Sequence, residues 1–206
     1  TWTAIDLCNN QTVHTQTIIV QDNTAPSFVE ALPNAAITVE CSAVPAAATL
    51  TATDNCGTAT VTYTETTTPG SCSGSYTITR TWTANDLCNN QISHTQIVTV
   101  QDTTNPTLVG TLQDVIDATC STIPATPQLT FTDNCSATNE ITVVQTTTTS
   151  SPDNDGHYTI VRTWTVTDAC GNVLPLTQTV NVTIPNYQLS TSIQPVCDID
   201  IDLTID

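Results

Sequence analysis

Nine cysteines, nineteen carboxylates, three histidines and two arginines are the side chains in this 206-residue sequence that could do chemistry. The cysteines stand at positions 8, 41, 56, 72, 88, 120, 135, 170 and 197, and no two of them form a C-x-x-C pair. The histidines do not cluster with them, so the ligand spacing of a structural zinc site is missing. A reactive thiolate would need an activating base beside it, and none is visible. Serine and threonine abound without a matched His and Asp, and there is no nucleophile elbow or phosphate loop. A catalytic carboxyl would need an apolar cleft to raise it, whereas these acids fall in polar turns. No catalytic arrangement remains, and the chain is expected not to be an enzyme. The cysteines then read as disulfides formed in an oxidising compartment.

The charge balance points the same way. The formal net charge is −17, and the sequence has no lysine. A field of that sign repels phosphate backbones and anionic lipid surfaces, which excludes nucleic acid and membrane partners. No apolar run approaches the roughly 20 residues that span a bilayer. Without lysine, a Lys–Asn isopeptide staple cannot form within the segment. The acids attract cations or simply keep the surface solvated. The sequence opens on Thr-Trp-Thr and contains no methionine, and it reads as a piece of a longer secreted chain.

The elements that must hold these residues are strands. About one residue in four is threonine, which is β-branched, stiff at χ1 and suited to a pleated surface. Internal repetition is the strongest signal. Thr1-Trp2-Thr3-Ala4-Ile5-Asp6-Leu7-Cys8-Asn9-Asn10 returns as Thr81-Trp82-Thr83-Ala84-Asn85-Asp86-Leu87-Cys88-Asn89-Asn90, and more loosely at Thr163–Asn172. Thr53-Asp54-Asn55-Cys56 likewise matches Thr132-Asp133-Asn134-Cys135. A period of about 80 residues suits a sandwich module. Alternation places strands at 36–40, 48–53, 60–65, 76–84 and 91–100, with Tyr76, Ile78, Arg80, Trp82 and Ala84 facing inward. Asn-Asn and Gly-Asn supply the positive φ that tight hairpins require. The fold class is therefore all-β, a tandem array of immunoglobulin-like β-sandwich modules. Residues 1–22 are the last two strands of one module, 23–102 and 103–184 are full modules, and 185–206 begin a different β module around Asp198-Ile199-Asp200-Ile201-Asp202.

The segments Asp102-Thr103-Thr104-Asn105-Pro106, Thr53-Asp54-Asn55-Cys56-Gly57 and Trp164-Thr165-Val166-Thr167-Asp168-Ala169-Cys170-Gly171-Asn172 resemble the hyalin-like (HYR-like) repeats of very large Bacteroidota surface adhesins, gliding-motility adhesins among them. The resemblance implies an immunoglobulin-like sandwich, export to the cell surface by the type IX system, and a stalk or adhesive role. His14 and His94 stand where many such repeats carry a cysteine. The functional expectation is the structural shaft of an extracellular adhesin. The alternatives are a self-assembling filament with strand exchange between copies, or an accessory binding region of a secreted enzyme. Partners are neighbouring repeats, other copies in a filament, and surface glycans or cells reached through other regions.

Sandwich topology then places the chemistry. The chain start, the loop after the second strand and the final hairpin loop lie at one end of such a module. This pairs Cys56 with Cys88 and Cys135 with Cys170, and leaves Cys41 and Cys72 at the opposite end, where they can pair with each other. Cys120 is either free or reaches Cys197, and Cys8 must look upstream. The same end gathers Asp22, Asp54 and Asp86 in one module and Asp102, Asp133 and Asp168 in the next. Three carboxylates from three segments suit a hard cation such as Ca²⁺. The competing reading is that each Asp caps its own turn. Arg80 and Arg162 either stack on the tryptophans two residues on or form a ligand cluster, and His14 and His94 are structural. The runs 66–68 and 146–151 are solvated loops open to O-glycosylation, and Thr103 stands in an acceptor-like Asp-Thr-Thr. Asn10, Asn134 and Asn181 match only the weak N-x-S/T pattern.

Overall fold

The threonine-rich alternating segments become strands. A computed structural model describes residues 1–184, and these are all-β apart from two single 3-10 turns at Cys41–Ala43 and Thr138–Glu140. The expectations for 185–206, the Asp-Ile strand and Cys197 included, lie outside the described residues.

The chain divides into two compact units, Thr1–Ala36 with Ala46–Thr66 and Thr79–Ile97, and Ile37–Pro45 with Thr67–Ile78 and Val98–Asp206. The division cuts through the first repeat: the segments carrying its Cys41 and Cys72 fall in the second unit, with the whole of the following repeat.

In the first unit, β1 (Trp2–Ile5) and β2 (Gln11–His14) form an isolated antiparallel hairpin that pairs Trp2 with His14. With no third strand beside it, Trp2 is 57% exposed, whereas its repeat equivalents Trp82 and Trp164 are 1% and 3% exposed. The first repeat continues as β3 (Ser27–Phe28), β4 (Ala36–Glu40), β5 (Ala52–Thr53), β6 (Thr60–Pro69), β7 (Tyr76–Asn85) and β8 (Gln91–Gln101). Its sheets are β3-β5 and β4-β8-β7-β6. On β7 the expected face is buried at Ile78, Arg80, Trp82 and Ala84, with Tyr76 half-buried. Residues 48–51 are not strand. Their polar groups are taken elsewhere: the Trp82 indole donates to the Ala48 carbonyl at 2.9 Å, and the Thr51 amide donates to Glu30 at 2.6 Å.

The second repeat repeats the topology with β9 (Thr107–Val109), β10 (Val115–Thr119), β11 (Thr130–Thr132), β12 (Thr142–Thr149), β13 (Tyr158–Thr167) and β14 (Val173–Thr183). One sheet is β9-β11 and the other is β10-β14-β13-β12, in which β10 runs parallel to β14 and the remaining pairs are antiparallel. Phe131 from the small sheet packs with Trp164 and Val166 from the large one, ringed by Leu108, Leu129, Ile141 and Leu174. A second cluster of Ala118, Val180 and Val182 fills the other end, beneath Tyr158 and Ile160. Burying aromatic and branched side chains from facing sheets is the main stabilising term in a sandwich of this size.

The threonine runs expected to be loops are strand. Thr66–Thr68 lie within β6 and Thr146–Thr149 within β12, all exposed. β-branching favours the pleat even where one face meets water. At the hairpin tips Asn9 and Asn89 have φ of 63° and 68°, and Gly171 has 92°. This left-handed region suits Asn and Gly, so the turn chemistry is the one the sequence implied.

Candidate metal and disulfide site

Each β7–β8-type hairpin is closed by one aspartate. Asp168 Oδ1 accepts the Cys170 and Asn172 amides at 2.8 and 2.9 Å, and its Oδ2 accepts the Asn172 side-chain amide at 2.7 Å. Asp86 makes the same three bonds with Cys88 and Asn90, and Asp6 makes them with Cys8 and Asn10. The Asn at the far side of the turn also reaches out of it. Asn172 donates to the Asp102 carbonyl at 3.2 Å, and Asn90 donates to the Asp22 carbonyl at 3.1 Å. These two hairpins thus grip the segment that leads into their own repeat. The sequence repeat marked these asparagines as turn formers but gave no sign of the second bond.

Capping and clustering coexist. Asp102, Asp133 and Asp168 each offer a carboxylate oxygen, and the three oxygens lie within 4.8 Å of one another; Asp22, Asp54 and Asp86 do the same in the first unit. Asp102 Oδ1 accepts the Thr104 amide at 3.2 Å, and Asp133 Oδ1 accepts those of Cys135 and Ser136, both at 2.8 Å. The Oδ2 atoms of Asp54, Asp102 and Asp133 are buried and have no hydrogen-bond partner. Burial pushes the Asp102 carboxyl above its ordinary value against the Thr104 amide, and the charges of Asp133, Asp168 and Glu40 add to it. Burial works on Asp168 as well, but the bonds from Asn172, Cys170 and Gly171 outweigh it and hold that carboxyl low. Asp86 is held low in the same way by Asn90, Cys88 and Asn89.

Glu40 and Gly74, which sequence reasoning passed over, complete the surroundings of Asp102. Glu40 accepts the Thr103 amide at 3.1 Å and the Thr103 hydroxyl at 2.5 Å, so the exposed Thr103 side chain is already engaged. Gly74 is buried, and a Cβ there would stand 2.8 Å from the Cβ atoms of both Asp102 and Cys135. Glu40, Asp102 and Cys135 also lie within 4.8 Å, but the Cys135 sulfur is in a disulfide and is no metal ligand.

The disulfides correct the expected pairing. Cys41 bonds Cys135 and Cys72 bonds Cys170, with Cα separations of 5.8 and 5.2 Å, both ordinary for a disulfide. None of the expected Cys41–Cys72, Cys135–Cys170 and Cys56–Cys88 pairs forms, and Cys56, Cys88 and Cys8 are exposed and without a disulfide partner among the described residues. The physical reason lies in the tandem arrangement. The 3-10 turn with Cys41 and the β6–β7 loop with Cys72 meet, inside the second unit, the loops after β11 and β13 that carry Cys135 and Cys170 (the apex loops of the next repeat), so each cysteine finds its partner across the repeat boundary. Asn134 Nδ2 donates to Ser42 Oγ at 3.5 Å, and Ser73 Oγ donates to Glu140 at 3.1 Å along the same boundary. Cys120 is unpaired.

The arginines serve the core rather than a ligand. Arg162 donates to the carbonyls of Pro124, at 2.5 Å, and Ala125, and to Gln178 at 2.9 Å. Arg80 bridges Glu65 at 2.9 Å and Gln96 at 3.4 Å. His94 bonds the Pro33 carbonyl at 2.9 Å and lies beside Trp82, a structural role.

No curated protein matches the chain. Among solved structures, the chain is similar to the crystal structure of Drosophila N-cadherin EC1-4 at 13% identity and a TM-score of 0.33, covering 79% of this chain and 50% of that one. It is similar to the protocadherin GammaB4 extracellular domain at 11% identity and a TM-score of 0.29, covering 79% and 33%. The chain thus spans half or less of those proteins, and likeness at this level carries no functional argument. A family model described as an HYR-like domain with four cysteines matches residues 29–100 and again 102–182. The first match holds Cys41, Cys56, Cys72 and Cys88, and the second holds Cys120, Cys135 and Cys170 with no counterpart of Cys72. With both repeats matched, most of its length is accounted for, and the chain belongs to the family of HYR-like domains with four cysteines.

Proposed function

We propose that this chain is a segment of the shaft of an extracellular adhesin or appendage, non-catalytic, in which covalent links between successive repeats carry tension and limit bending. The observation that carries the reading is the direction of the disulfides: both join one repeat to the next, rather than closing a repeat on itself. Paired disulfides fit an oxidising, extracytoplasmic setting, and tandem HYR-like repeats fit an adhesion-type role on the surface of a bacterium such as those of the Bacteroidota. No helix among the described residues is long and apolar enough to cross a membrane. Two bonds at one boundary oppose both separation and rotation, which a single bond does not.

Cys56 and Cys88 hold in the first repeat the positions that Cys135 and Cys170 hold in the second. On this reading they receive the two cysteines from the opposite end of another repeat, whereas the second repeat, which has Cys120 but no counterpart of Cys72, offers one link onward. A filament of separate chains uses the same two thiols, and a non-reducing gel tells the two apart: ladders of linked copies of this chain favour the filament. The reading is tested by peptide mapping of the oxidised protein, together with electron microscopy before and after reduction. Linked Cys41–Cys135 and Cys72–Cys170 peptides, and particles that bend more once reduced, are expected. Recovery of Cys41–Cys72 and Cys135–Cys170 peptides, or the same bending in both states, overturns it.

A further inference from the structure

We propose that Asp102, Asp133 and Asp168 form a binding site for a divalent calcium-class cation, tying the segment after β8 to both apex loops of the second repeat. The inference does not depend on the shaft reading. Asp102 is only 8% exposed, and its Oδ2 is buried without a partner; Asp133 Oδ2, in the same cluster, is in the same condition. Buried polar atoms are nearly always paired, and an orphaned ionisable oxygen calls for an ion or a water. Two orphaned oxygens beside a third carboxylate call for a cation, because the net negative charge needs an opposite one.

The chain does not supply that charge. It has no lysine, and the guanidinium of the second repeat, Arg162, is committed to Gln178 and the Pro124 and Ala125 carbonyls. Backbone amides hold Oδ1 of Asp102 and Asp133, which orients each carboxylate and leaves Oδ2 free, while Asp168 is fixed by Asn172 and Cys170. The donors are all oxygens, which selects a hard ion. Oxygens up to 4.8 Å apart can share one Ca²⁺ at bonds of about 2.4 Å, whereas Mg²⁺ demands about 2.1 Å and stricter geometry.

Asp22, Asp54 and Asp86 repeat the arrangement in the first unit, again with an orphaned buried oxygen, that of Asp54, and with Oδ1 of Asp22 and Asp54 held by the Thr24 and Cys56 amides. The same arrangement in both repeats argues against an accident of one loop.

The test is calcium titration of the oxidised full chain by calorimetry and equilibrium dialysis, with magnesium as the competing ion. Two equivalents of Ca²⁺ are expected, with Kd of about 0.1–1 mM as for extracellular modules, and at least tenfold weaker Mg²⁺ binding. Asp102→Asn removes one equivalent, and Asp54→Asn, in the other cluster, independently removes the other. Circular dichroism shows whether each variant folds; should Asp102→Asn not fold, Asp133→Asn takes its place, and its Oδ1 position keeps the two amide bonds. Absence of calcium uptake at millimolar concentration, or a stoichiometry unchanged in the folded variants, overturns the proposal.

Discussion

Removing one of the two bonds across the repeat boundary should cost less than its span alone indicates, because the other bond shortens the loop it closes. Cys72 and Cys170 are 98 residues apart. In the chain-entropy model a loop of that size corresponds to about 4.7 kcal/mol. With Cys41–Cys135 intact, however, the path between them runs 31 residues back from 72 to 41, crosses the bond, and runs 35 residues on from 135 to 170. A loop of some 66 residues corresponds to about 4.3 kcal/mol in the same model. The double variant Cys72→Ser/Cys170→Ser should therefore lose about 4 kcal/mol. Removing both bonds should lose about 9 kcal/mol, comparable with the whole stability of a small domain. The assay is urea unfolding of oxidised protein followed by the fluorescence of Trp164, which is buried in the second unit. The midpoint should fall and the urea slope should rise as the unfolded chain expands. Cys56→Ser/Cys88→Ser, at unpaired positions, should leave the midpoint unchanged. A loss under about 1 kcal/mol for the first variant, or an equal loss for the second, refutes the reasoning.

Three further outcomes follow from particular contacts. Gly74→Ala places a methyl 2.8 Å from the Cβ atoms of Asp102 and Cys135, and overpacking of that kind should cost about 1–3 kcal/mol, read from the same urea curves. Arg162→Met keeps the bulk but leaves the Pro124 and Ala125 carbonyls and Gln178 without their donor, for a loss of about 2–4 kcal/mol by thermal unfolding; an unchanged midpoint sinks the structural role given to this arginine. The bonds from Tyr63 and then Arg80 hold the Glu65 carboxyl below its ordinary value. A depressed folded value means its contribution is present above the unfolded value of about 4.3 and is lost as pH falls through the folded one. Because the side chain is 39% exposed, the effect is discounted to below about 1 kcal/mol, and Glu65→Gln should flatten the acid limb of the stability curve by no more than that.

What was legible in the sequence is what local pattern decides. The inward face of β7, the positive φ at Asn9, Asn89 and Gly171, and the three-Asp clusters all follow from alternation, turn chemistry and repeat position. Elsewhere competing bonds or side-chain branching override the pattern. Residues 48–51 alternate like a strand, yet the Trp82 indole and Glu30 take their carbonyl and amide. Thr66–Thr68 have the polarity of a loop, but β-branching favours the pleat and they extend β6.

The disulfides failed for a more general reason. Topology identified correctly which loops share an end of a repeat, but in a tandem array the far end of one repeat and the near end of the next occupy the same place. Spacing alone cannot then say whether Cys135 meets Cys170 in its own repeat or Cys41 in the one before. Geometry decides it. Asp133 and Asp168, each two residues before its cysteine, bring carboxylate oxygens within 4.8 Å of each other and of Asp102. The same two loops carry the cysteines that bond Cys41 and Cys72 of the preceding repeat, whose Glu40 and Gly74 lie beside Asp102. The acidic cluster and the disulfides therefore occupy one boundary, and a methyl added at Gly74, 2.8 Å from the Cβ atoms of Asp102 and Cys135, presses on both at once.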